Sequence, residues 1–151
     1  LDVDANGNLY LGGVNFDASR QVWSLRSSNA RDASVTPTFD RITAVNLGGG
    51  PTGGQPINPE GLVGQIFVAA DRSGASTNNN VYMLASVTPT GATNGSDVMF
   101  VRSTDGGLSF SPPHRINDDP VNQNKWHWFG ALSVAPNGRL DGCLARHAQC
   151  G

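Results

Sequence analysis

Ser103-Thr104-Asp105-Gly106-Gly107-Leu108-Ser109-Phe110 follows the apolar run Val98-Met99-Phe100-Val101 and has the form Ser-x-Asp-x-Gly-x-x-Phe. The spacing predicts a hairpin turn that ties itself shut. Ser103 and Asp105 carry short oxygen-bearing side chains that accept hydrogen bonds from the amides a tight turn leaves bare. Gly107 tolerates a positive φ, and Phe110 is placed to fold beneath the turn as a plug. A new strand is expected from about His114.

Working outward, the chain repeats itself. Val3-Asp4-Ala5-Asn6-Gly7-Asn8-Leu9-Tyr10 and Val134-Ala135-Pro136-Asn137-Gly138-Arg139-Leu140-Asp141 share a strand, Asn-Gly turn, strand plan. Midway between them, Val68-Ala69-Ala70-Asp71 leads through an Asn-rich loop to Asn80-Val81-Tyr82. A second series is interleaved. Val22-Trp23-Ser24-Leu25-Arg26-Ser27-Ser28-Asn29 matches Val98 to Asp105, with Asn29 where the later copy has Asp105 and a longer excursion before Phe39. Arg41-Ile42-Thr43-Ala44-Val45-Asn46 then answers Arg115-Ile116-Asn117. Four short strands in a unit of roughly 65 residues is the plan of a propeller blade.

The expected fold is therefore all-β: about two four-stranded antiparallel β-propeller blades plus the start of a third. Blade one covers residues 1–50, with strands at Leu1–Asp4, Leu9–Val14, Gln21–Arg26 and Arg41–Leu47. Blade two covers 62–119, with strands at Gln65–Ala70, Val81–Val87, Asp97–Arg102 and His114–Asn117. A third blade starts over 128–141, and 142–151 reads as a C-terminal tail of poor strand material. Two blades and a fraction leave unpaired edges and a bare apolar face. The chain is thus expected to be a fragment of a longer propeller or a subunit of a homo-oligomeric one, a trimer of two-blade units giving six blades. Leu1 in place of an initiator Met, with no leader sequence, reads as a mature product or an excised piece.

Composition narrows the partners. The 151 residues hold 10 Lys and Arg against 12 Asp and Glu, a net charge of -2, with the cations scattered singly. Such a surface lacks the basic footprint of a nucleic-acid partner. No apolar run approaches the roughly 20 residues of a membrane span. The abundance of Gly, Pro, Asn, Ser and Thr, with Glu60 the single Glu, suits strands and turns. An extracellular or periplasmic bacterial location is expected.

The Ser103 to Phe110 motif resembles the Asp box of sialidase-like β-propellers, the bacterial neuraminidase repeat. Phe67 to Asp71, Asn80 to Tyr82, Arg102 to Phe110, Arg115 to Pro120 and Trp128 to Gly138 extend the likeness over nearly the whole chain up to Asp141. The resemblance implies carbohydrate as the partner and a sialidase-like glycoside hydrolase, or part of one, with a non-catalytic carbohydrate-binding propeller or cell-surface module as the alternative. It also implies that the Asp-box turns lie on the face away from the active site, which makes Asp105 structural. Tyr10, Tyr82, Arg26 and Arg102 recur between units and read as scaffold for the same reason.

Functional candidates are residues that break the repeat at the opposite end. Glu60 and Asp17 are the catalytic candidates, because a glycosidase needs carboxyl groups to move protons. Arg20, Asn58, Lys125, Trp126, His127 and Trp128 are the substrate-binding candidates, since indole faces stack on pyranose rings while amides and cations reach hydroxyls. Filling the core is the competing role for both tryptophans, an exposed turn for Glu60 and a surface ion pair for Asp17 with Arg20. No complete arginine cluster for a substrate carboxylate is assembled.

No cofactor is required on this reading, and calcium is the single metal considered. Asp2, Asp4 and Asn6 supply alternate oxygen ligands around a Gly turn, like the first half of a calcium loop, but Gly13 replaces the closing Glu. A plain Asn-Gly hairpin is the competing reading. Cys143 and Cys150 admit a small disulfide loop or, with His147, a three-ligand metal tail, against a frayed terminus. Asn94-Gly95-Ser96 is a glycosylation sequon in a eukaryotic secretory host.

Overall fold

A computed structural model describes residues 1–15, 17–52, 65–120 and 125–148. Those residues contain eleven strands and no helix. The strands are β1 (Asp2–Val3), β2 (Leu9–Val14), β3 (Val22–Ser27), β4 (Arg41–Val45), β5 (Gly49–Pro51), β6 (Ile66–Ala70), β7 (Val81–Pro89), β8 (Asp97–Ser103), β9 (His114–Arg115), β10 (Lys125–Val134) and β11 (Leu140–Ala148).

They form three antiparallel sheets. The first is a meander in the order β1-β2-β3-β4; in the second, β6, β7, β8 and β9 pair in sequence while β5 joins the far end of β7; the third is the β10-β11 hairpin. A lone parallel bridge between Ser96 and Trp126 links the second and third. Short apolar runs cut by Gly, Asn and Ser turns favour pairing between strands adjacent in sequence, with β5, which joins β7, the exception.

The repeat keeps its register from β2–β3 to β7–β8 but not in the strand that follows, where Arg41 faces Arg26 and Arg115 faces Met99, the counterpart of Trp23. Tyr10 lies opposite Arg26 in the first sheet, and Tyr82 opposite Arg102 in the second. Leu9 faces Ser27 as Val81 faces Ser103. Period-two alternation then gives each sheet two faces to bury. Tyr10, Val22 and Val45 of the first sheet pack on Val68, Ala70, Val81, Met83, Ala85 and Val101 of the second. The reverse face of the second sheet, Ala69, Tyr82, Leu84 and Val98, packs on Leu132 with Val134 and Leu144 of the third. A fully buried side chain of this size contributes about 1.5–3 kcal/mol, so these two interfaces hold the sheets in series. Glycine permits the close approach at each: a Cβ on Gly12 would stand 2.6 Å from Val68 Cγ2, and one on Gly130 2.4 Å from Leu84 Cδ2.

The Asp105 turn closes as its residue types predict. Asp105 Oδ1 accepts from Leu108 N at 3.0 Å, Ser109 N at 2.9 Å and Ser103 Oγ at 2.8 Å, while Gly107 N donates to Ser103 Oγ at 2.8 Å. Burial would push the Asp105 carboxyl up, but the bonds from Ser109, Ser103 and Leu108 prevail and hold it at about 2. Phe110 packs on the core below. The turn also clasps the neighbouring sheet. Arg41 Nη1 donates to the carbonyls of Asp105 and Gly106, and Thr43 Oγ1 to that of Gly107 at 2.6 Å. Asn29 plays the smaller part in the first sheet, accepting from Ser27 Oγ at 3.0 Å and Thr38 N at 2.9 Å. Phe39, unlike Phe110, remains exposed there.

Two expectations need correction. Residues 142–148 are not a tail: they continue β11 and pair with β10 from Leu132↔Gly142 to Lys125↔Ala148. The long strand β10, entering at Lys125 and not near Trp128, offers an unpaired edge, and its hydrogen bonds outweigh the poor strand propensity of Gly142-Cys143-Leu144-Ala145. The second correction is β5, a Gly-Gly-Pro strand that no pattern announced, added to the β7 edge beyond the end of β6.

Candidate functional site

Because the sheets are meanders, successive connections alternate between two ends. The Asp4, Asp71 and Asp105 turns share one end. At the other lie the β2–β3 loop, the residues after β4, the β7–β8 loop and the β9–β10 connection. The candidate site is built at this second end.

Its densest chemistry is a buried charge cluster joining β8, β9 and β10. Asp119 Oδ1 lies 3.2 Å from Arg115 Nη2 and 3.1 Å from His127 Nε2, and Oδ2 lies 3.1 Å from Lys125 Nζ. Asp97 Oδ1 is 3.1 Å from Arg115 Nε. Asn117 bridges the acids, its Nδ2 donating to Asp97 Oδ1 at 2.8 Å and Asp119 Oδ1 at 3.0 Å, while its Oδ1 accepts from Val98 N. His127 Nδ1 stands 2.8 Å from the Ser96 carbonyl. Burial alone would raise the Asp119 carboxyl; the bonds from Asn117 and Lys125, with the charges of His127 and Lys125, hold it instead at about 2. It is a carboxylate near neutral pH, an anchor and not a proton donor.

The residues singled out in sequence are distributed as follows. Lys125 and His127 enter this cluster, with Trp126 and Trp128 in the same strand. Trp126 is 2 % exposed and His127 1 %, so neither offers a face for a sugar to stack on. Trp128 is half-buried. Asp17 and Arg20 lie exposed in the β2–β3 loop. Hydrogen bonds from the Ser19 side chain and backbone, with a smaller one from Asn15, lower the Asp17 carboxyl below its usual range. Arg20 Nη1 reaches the Pro51 carbonyl at 3.1 Å, and no ion pair joins it to Asp17. Glu60 and Asn58 lie outside the described residues.

At the opposite end, the calcium candidates meet hydrogen-bond donors. Asp4 accepts from Asn6 N, Asn8 N, Asn8 Nδ2 and Tyr10 OH, and Asp2 from Val3 N and Ala70 N while pairing with Arg72. Donors stand where a cation would require open oxygens. Among the described residues no group of three or more His, Cys, Asp and Glu side chains is arranged so that it could hold a metal ion.

Sequence reasoning missed Asp97, Arg115, Asn117 and Asp119. Arg115 and Asn117 recur in type or place between the units and so read as scaffold; Asp97 carried no signal. Their convergence is a product of strand register. Among the described residues no helix is long and apolar enough to cross a membrane. Set against family models, curated proteins and solved structures, the chain gives no match.

Proposed function

We propose that this chain is a stretch of sialidase-like β-propeller and that the complete ring is a glycoside hydrolase acting on carbohydrate at the loop end of its sheets. One observation carries the reading: the Tyr–Arg register, the self-closed turn and the forward-facing apolar side recur from the first sheet to the second, with a third stacked in series. Radial repetition of this kind is how propellers are built. The outer face of the first sheet supports it too. Trp23, Leu25 and Ile42 line an open apolar groove of about 360 Å³ there, while Met99 and Val101, which answer Trp23 and Leu25 in the second sheet, pack into the core between the sheets. A neighbouring sheet, from a longer chain or from a second copy, is what such a face accepts.

Glu60 is the proposed proton-transfer group, and the β2–β3 and β7–β8 loops supply substrate contacts. The native assembly should release fluorophore from an α-sialoside of 4-methylumbelliferone, and Glu60→Gln should reduce turnover at least about 100-fold, the usual contribution of a positioned acid or base. Unchanged turnover removes Glu60 from the mechanism. A binding module without turnover is the second reading, favoured by the ion pairs that engage both Asp97 and Asp119. It predicts glycan binding with no release by either protein.

A further inference from the structure

Three carboxylates hold the turns at the end opposite the loops, and they are not equally served by donors. Asp4 accepts four hydrogen bonds, from Asn6 N, Asn8 N, Asn8 Nδ2 and Tyr10 OH. Asp105 also accepts four, from Ser103 Oγ, Leu108 N, Ser109 N and Ser109 Oγ. Asp71 takes the place of Asp4 in the second sheet and is the most deeply buried of the three, at 0 % exposed. Its Oδ1 accepts from Ser73 N at 2.7 Å, and its Oδ2 has no hydrogen-bond partner. We propose that the Asp71 turn is a binding site for one calcium ion, with Asp71 Oδ2 and Asn79 Oδ1 among the ligands. The site stands apart from the carbohydrate reading and needs neither turnover nor a closed ring.

The charge of the turn selects a cation. Burial pushes the Asp71 carboxyl up, yet the Ser73, Thr77 and Tyr82 hydroxyls and the Ser73 amide bring it below its usual range. It is therefore an anion at neutral pH, and an unpaired anion in the interior is costly. All 10 Lys and Arg lie among the described residues, and none comes within ion-pair distance of Asp71. Arg72, next in sequence, pairs with Asp2 instead. A second oxygen of the same turn is equally bare. Asn79 Oδ1 is buried without a donor, while Asn79 N bonds the Asp71 carbonyl at 2.9 Å. In the first sheet Asn8 Nδ2 serves Asp4 Oδ2 at 2.8 Å; its counterpart Asn80 Nδ2 turns to Tyr82 OH at 3.3 Å. Two buried acceptors in one turn, both lacking donors and one of them charged, call for a positive ion.

The residue types narrow which ion. Between Asp71 and Tyr82 the chain offers Ser, Thr and Asn oxygens and neither His nor Cys. An irregular set of hard oxygens suits calcium, whereas magnesium demands a near-ideal octahedron. One carboxylate supplies little charge, which puts the affinity at the weak end of calcium sites, with Kd on the order of 10⁻⁴–10⁻³ M. The Asn137-Gly138 turn of the third sheet lies against the same hydroxyls: a Cβ on Gly138 would stand 2.7 Å from Thr77 Oγ1 and 3.2 Å from Ser73 Oγ. An ion held here therefore stiffens the contact between the second and third sheets.

The test follows amide resonances of the full chain, stripped with chelator, as CaCl2, MgCl2 or KCl is added at matched ionic strength. We expect calcium to shift Ser73 and Thr77 to Asn80 with half-saturation on the order of 1 mM, and the other two salts to leave them in place. Terbium, a calcium-sized ion, should emit on excitation of Tyr82 beside the carboxylate. Asp71→Asn should abolish both the saturable shift and the emission. Asn79→Gly removes one oxygen and adopts the φ of 68 at that position without strain. It should weaken calcium at least about tenfold, the cost of disturbing even an outer partner of a metal site. Four results would each overturn the proposal: no saturable response to calcium, as an ordered water in the turn would give; equal shifts from all three salts; shifts centred on the exposed Asp118 or Asp141; or unchanged affinity in folded Asn79→Gly.

Discussion

Replacing Asp119 with Asn removes the anion that Arg115, Lys125 and the His127 ring share, and its cost can be worked from the site. The carboxyl falls from its ordinary 3.8 to about 2, and at about 1.4 kcal/mol per pH unit the folded state gains about 2 kcal/mol from keeping it ionised. Breaking a fully buried ion pair costs more, about 3–5 kcal/mol, because the abandoned partner stays desolvated. Here Arg115 and Lys125 keep 23 % and 27 % of their side-chain surface in water, which lets them rehydrate in part. The expected loss is therefore about 2–3 kcal/mol, read as a shift in urea midpoint at pH 7 with the slope unchanged. The sign with pH is fixed by the direction of the shift. A depressed carboxyl contributes stability that is complete above about pH 4 and disappears as pH falls toward 2, so the difference between wild type and Asp119→Asn should shrink on acidification. A loss under about 1 kcal/mol at pH 7, where surface pairs fall, or a difference that stays constant down to about pH 2.5, would refute the assignment.

Tyr10 is fully buried and its phenol is pushed up to about 12, first by burial and then by the charge of Asp4 and a hydrogen bond to it. A raised acid loses its stabilising effect as pH climbs, so stability should fall between about pH 10 and 12, and Tyr10→Phe, about 1 kcal/mol weaker at neutral pH, should show less of this alkaline loss. Thr43→Val deletes the donor to the Gly107 carbonyl; hydrogen exchange at residues 105–109 should quicken, with about 1 kcal/mol lost globally. Gly49→Ala places a Cβ 2.0 Å from the Thr88 carbonyl oxygen, a backbone atom with little freedom to yield. It should cost about 1–3 kcal/mol and expose β5 amides to exchange, whereas an unchanged melting curve would contradict the β5–β7 pairing.

The sequence by itself determined the strands of the first sheet and β6 to β9 of the second. Period-two patterning and turn residues act over a few neighbours, and Leu9–Val14 occupies its expected bounds while Val81–Pro89 and Asp97–Ser103 differ from theirs by one or two residues. It determined the Asp105 turn for the same reason, since the bonds that Ser103 and Asp105 make to close it span at most four residues. Only the tertiary structure decided the rest. Gly-Gly-Pro became β5 and Leu140–Ala148 became β11 because partner edges lay free beside them. Asp97 met Arg115 and His127, and was tied to Asp119 through Asn117, because three strands end at one level. Trp126 went to the interior although its type suits an open binding surface equally well. Which side of a strand faces a neighbour, and which charges meet across a sheet edge, depend on contacts distant in sequence, and local residue preferences carry no record of them.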